Sequence, residues 1–91
     1  MMKMTYTLNS SLVVREESDD WGLLFDPDTG RSFALSPVAV HICNILLLGP
    51  KKHEEIMSSV NETFTDIPQT ATQDTTEFLD QLTKEGLITC S

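Results

Sequence analysis

The residues of this chain that could do acid–base, nucleophilic or metal chemistry are few, and their spacing argues against each kind. His41 and Cys43 lie two apart on a helix-forming stretch, so their side chains point in different directions and cannot share a metal ion. They read as core or near-core residues. His53 follows Lys51 and Lys52 at a helix start and reads as a solvated side chain. Cys90 sits in the C-terminal tail, with neither a helix N-terminus nor a base beside it to lower its pKa. Glu16, Glu17, Asp19 and Asp20 crowd one turn, but without the alternating ligands and central glycine of an EF-hand loop. No glycine-rich phosphate loop and no Ser/His/Asp set is present. The expectation is a protein that is not an enzyme and holds no metal or cofactor.

The elements around these residues form one small domain of 91 residues, because single domains mostly run to about 100–150. Six basic against fourteen acidic residues give a net charge of −8 and a pI near 4.4, which repels a phosphate backbone. Two cysteines without a CxxC do not make the disulfide framework of a secreted domain. With no signal-like apolar run and no stretch long enough to span a bilayer, the expected location is the cytoplasm.

Residues 1–11 read as a flexible N-terminal arm and 12–91 as the folded domain. Leu12–Glu17 and Trp21–Phe25 read as strands around the break Ser18-Asp-Asp20. Asp26-Pro-Asp-Thr-Gly30 supplies a fixed φ, local side-chain acceptors and a residue tolerant of positive φ, which specifies a tight hairpin loop. The chain then returns through Arg31-Ser-Phe-Ala-Leu35, where Phe33 and Leu35 share one face and Ser32 and Ala34 the other. Ser36-Pro37 caps a helix to about Leu48, apolar over most of its girth. An amphipathic helix from about Lys52 to Phe64 carries Ile56, Met57, Val60 and Phe64 on one side. Ile67 is expected to pin the loop that follows. A third helix, about Ala71 to Glu85, has Phe78, Leu79 and Leu82 as its stripe, extended by Thr75, and Leu87-Ile88 folds back as a plug. The fold class is α+β: a three-stranded antiparallel sheet followed by three helices, winged-helix-like.

That order admits a DNA-binding winged-helix regulator, but the third helix, as reader, would present Asp74, Glu77, Asp80 and Glu85 against Lys84. The stronger reading is a peptide-binding module. Arg31–Leu35 is short and free of proline and lysine, so its edge can accept an added strand. Backbone pairing contributes roughly 1 kcal/mol per hydrogen bond, while ordering each peptide residue costs about 1–2 kcal/mol. Two or three apolar side chains in an adjoining groove, at roughly 1.5–3 kcal/mol each, must tip the sum. The third helix is the expected second wall. Against this, Phe33, Leu35, Leu79 and Leu82 could simply be core, with the edge paired internally or with its copy in a homodimer.

Val14-Arg-Glu-Glu17, Trp21-Gly-Leu-Leu-Phe-Asp-Pro-Asp-Thr-Gly30, Phe33-Ala-Leu-Ser-Pro-Val-Ala39 with Ile42 and Ile45-Leu46, His53-Glu-Glu-Ile56 and Phe78-Leu-Asp-Gln-Leu-Thr-Lys-Glu-Gly-Leu-Ile88 together resemble the PqqD-like family over about residues 12–88. The acidic turn followed by Leu24-Phe-Asp-Pro-Asp-Thr-Gly30 looks most like the small PqqD-like member of SynChlorMet radical-SAM peptide-modification cassettes. The resemblance implies a recognition element that binds the leader of a ribosomally made precursor peptide as an added strand and presents it to a radical-SAM/SPASM enzyme, doing no chemistry and holding no cluster. Carried over by position, the peptide-binding strand is Arg31, Ser32, Phe33, Ala34 and Leu35, and the wall is Thr75, Leu79, Leu82 and Thr83. Two departures stand out. Lys51-Lys52-His53 replaces the usual Thr or Ser cap, so a frayed second helix is expected. Thr75 stands where relatives are often aliphatic, which implies a more polar wall.

Overall fold

The computed structural model describes residues 5–65 and 69–91. Ile67, expected to pin a loop, lies outside the described residues. The elements run β1 (Thr5–Leu8), β2 (Val13–Ser18), β3 (Trp21–Asp26), β4 (Arg31–Leu35), α1 (Pro37–Leu47), β5 (Lys51–Lys52), α2 (His53–Thr63), α3 (Ala71–Lys84) and β6 (Ile88–Cys90). The fold is α+β with two antiparallel three-stranded sheets, ordered β2-β3-β4 and β5-β1-β6.

The first of these sheets is the expected one. Its inner row sets Val14, Leu24 and Phe33 in register across three strands, with Leu24 and Leu35 buried against the helices. Gly22 lies where a Cβ would come within 2.5 Å of the Arg15 carbonyl oxygen and 2.6 Å of Val40 Cγ2, so only glycine lets β2, β3 and α1 close together there. The hairpin loop is built as its residues require. Asp26 Oδ1 accepts from the Asp28 amide and Oδ2 from Thr29 Oγ1, each at 3.0 Å, and Gly30 takes a φ of 77°.

The second sheet corrects the expected N-terminal arm. Thr5–Leu8 is the central strand between β5 and β6, and Tyr6 and Leu8 are buried. Alternation of threonine with a large apolar residue gives the strand one core face. Leu87 and Ile88 are buried as expected of a plug, with Ile88 opening β6. The ladder is extended at both ends, Thr5 and Ser91 exchanging backbone hydrogen bonds and the Asn9 amide donating to the Leu87 carbonyl.

Ser36 Oγ accepts from the Ala39 amide at 3.2 Å, with Pro37 first in α1. The expected fraying of α2 has an answer three residues in: Glu55 Oε1 accepts from the Lys52 amide at 2.8 Å, and Glu54 and Glu55 favour the positive end of the helix dipole. One core joins the three helices to both sheets, centred on Leu24, Ile42, Cys43, Ile56, Val60, Leu79 and Ile88. Each such large side chain contributes roughly 1.5–3 kcal/mol by leaving water.

Candidate functional site

β4 is an edge. Among the described residues it pairs only with β3, in the register Gly22–Leu35, Leu24–Phe33 and Asp26–Arg31. The carbonyl of Asp26 accepts from the Gly30 amide at 2.8 Å, so it is aimed across the hairpin. A strand residue sends its N–H and C=O to the same side, and the side alternates along the chain. Asp26, Leu24 and Gly22 therefore bond toward β4, and Arg31, Phe33 and Leu35 answer them. Ser32 and Ala34 are left with their amides and carbonyls directed outward.

α3 runs beside this edge. Arg31, at the start of β4, forms an ion pair with Glu85, the C-cap of α3, and its guanidinium lies 4.9 Å over the Phe33 ring. At the other end Ser36 and Val38 meet Thr75 and Phe78 around a shared cavity. Arg31 to Ser36 rises roughly 17 Å as extended chain, and Thr75 to Glu85 roughly 15 Å as helix. Strand and helix thus run antiparallel, with contacts near each end. Thr75, Phe78 and Glu85 are the α3 residues that meet this segment.

The cavity at the Ser36 end measures about 330 Å³ and is mainly apolar, lined from α1 by Val38, Ala39 and Ile42, from α2 and its C-cap by Val60 and Phe64, and from α3 by Ala71, Thr75 and Phe78, with Asp74 at its rim. Arg31, Ser32 and Ala34 are exposed, and Phe33 and Thr83 are half-buried. Leu35 is buried at the strand's end. Thr75 is buried but lines the cavity. Leu79 and Leu82, expected on the wall, are 0% and 2% exposed and belong to the core, because the amphipathic stripe of α3 packs inward. Thr83 Oγ1 donates to the Leu79 carbonyl, so its hydroxyl serves its own helix. The cavity residues Val38, Phe64 and Phe78 were missed as site residues. Their signal was position: Val38 sits in the first turn after the edge strand, and Phe78 one turn after Thr75.

The titratable groups lie elsewhere. Burial pushes the Cys43 thiol up to about 12 and holds it protonated. Burial, and then the nearby Cys90 and Asp80, raise the pKa of Tyr6. His41 Nε2 lies 2.8 Å from Ser59 Oγ, and His53 Nε2 lies 2.8 Å from Thr76 Oγ1. Because Thr76 donates its hydroxyl to the Thr72 carbonyl, it accepts from His53. Each histidine ties two helices together. Among the described residues no cluster of three or more His, Cys, Asp or Glu could hold a metal ion, and no helix is long and apolar enough to cross a membrane. The outward side of α3 exposes Asp74, Glu77 and Asp80, which gives a DNA reader no support.

An edge strand with an apolar cavity beyond its end is the kind of surface on which an added strand docks. Residues 22–88 match the family described as Coenzyme PQQ synthesis protein D (PqqD), and the chain belongs to that family. Among solved structures it is similar to "TbiB1 in Complex with the TbiA(beta) Leader Peptide", at 27% identity and a TM-score of 0.68, covering 90% of this chain and 93% of that one. No curated protein matches the chain.

Proposed function

We propose that this chain is a non-catalytic recognition element that captures the leader of a ribosomally made precursor peptide as a fourth strand beside β4 and presents it to a modifying enzyme in the cytoplasm. The observation that carries the reading is the outward backbone of Ser32 and Ala34, next to a cavity that can take the peptide's apolar side chains. That a solved relative is named as a complex with a leader peptide supports the same assignment. The radical-SAM/SPASM class of the enzyme rests on the SynChlorMet resemblance of the acidic turn and hairpin.

The peptide-contacting set is Arg31, Ser32, Phe33 and Ala34 along the edge, with Leu35 and Thr75 at the cavity end and Thr83 on the flank. Leu79 and Leu82 act from behind, by holding α3 in place. The test is anisotropy titration of a fluorescein-labelled leader of a short precursor peptide from the same genome. Ser32→Pro and Ala34→Pro each remove an outward donor without touching the inner ladder, and each is expected to weaken binding at least about tenfold. Unchanged affinity in both folded variants would overturn the reading.

A further inference from the structure

The outer face of the β2-β3-β4 sheet, turned away from the helices, carries large apolar side chains exposed to solvent. Val13 and Phe25 are cross-strand partners and are 44% and 37% exposed. Arg15, Leu23 and Ala34 form the adjacent row, with Leu23 half-buried and Ala34 exposed. Across the sheet each row steps down in size, from Phe25 to Ser32 and from Leu23 to Ala34. The low side is the open edge.

We propose that this face, completed by the captured peptide, is the docking surface for the modifying enzyme, and that the enzyme meets it with an apolar centre flanked by Lys and Arg. The proposal rests on the reading of β4 as a peptide-accepting edge. A strand added beside β4 projects alternate side chains to the outer face, next to Ser32 and Ala34, whose small size leaves room for them. The empty protein offers an incomplete patch and the loaded one a continuous patch, so enzyme and leader strengthen each other's binding. The acid rim selects the partner's chemistry: Glu17 and Asp20 lie at one hairpin turn and Asp28 at the other, all exposed, while Glu16 and Asp19 line a hollow on the helix side. Arg15 is engaged by Glu17 at 3.5 Å. On a chain of net charge −8 this rim disfavours a second copy of itself and favours a basic surface.

The experiment uses the full chain, a synthetic leader that it binds and a purified peptide-modifying enzyme from the same genome, with Phe25→Glu and the neutral Phe25→Ser as variants. Both are expected to keep leader affinity within about twofold, since Phe25 lies on β3, one strand in from the edge whose backbone takes the peptide, and to bind enzyme about 30-fold more weakly, as loss of a central aromatic anchor does. Wild-type protein saturated with leader should bind enzyme about tenfold more tightly than empty protein. Enzyme affinity unaffected by both variants, or equal for loaded and empty protein, would overturn the proposal. So would a wild-type dimer that Phe25→Glu turns into monomers, because a second copy would then be the occupant. Failure of the wild type to bind leader at all would instead sink the reading of β4.

Discussion

The two sheets are built from opposite kinds of sequence. Strands β2, β3 and β4 are consecutive, joined by tight turns within 23 residues of chain, from Val13 to Leu35. Strands β1, β5 and β6 are two to four residues long and come from the start, the middle and the end. Local hairpins can leave a strand unpaired on one side at no cost to the rest of the sheet. Distant pieces hold together only because the core beneath them does, so the second sheet ties the fold while the first keeps a free edge.

The sharpest break in that division is Leu79→Asp, which places a carboxylate at a fully buried position between α3 and the core. It should unfold the protein, seen as loss of the cooperative thermal transition, and so cannot serve as a test of peptide capture. Deleting residues 1–8 removes Tyr6 and Leu8 from the core and should cost roughly 3–5 kcal/mol in urea unfolding, where a mere arm would cost nothing. Gly22→Ala probes the local sheet, and its clashes with Arg15 and Val40 should cost about 1–3 kcal/mol.

Alkaline pH probes the shared core and the second sheet more gently. Cys43 and Tyr6 both have pKa values raised in the folded state, so the unfolded chain loses those protons first. Their contribution is complete below about pH 9 and should fall away as pH climbs toward 12. Cys43→Ala should flatten part of that slope in urea melts. Smallest in stability is Ser32→Pro, expected to shift the melting midpoint little while removing leader capture; a large loss of stability would show that the β4 edge is needed internally.

Much of the first sheet was legible because each signal is local: Asp26-Pro-Asp-Thr-Gly30 names its own turn, and Ser36-Pro37 its own helix start. The second sheet was not, since Tyr6 and Leu8 show only one alternation and their partners lie more than forty residues away. At the site, the edge was readable from the pattern of β4, but the wall was not. Helical spacing tells which α3 residues share a face, not how deep they lie, and Leu79 and Leu82 went to the core while Phe78 remained at the cavity.

Thr5 and Ser91 bond to each other across the outermost rung of β1 and β6. Any segment attached before the one or after the other therefore departs from a single corner, on the sheet that does not contain β4. A tag or a linker joined at either end would leave from beside β6, not from β4.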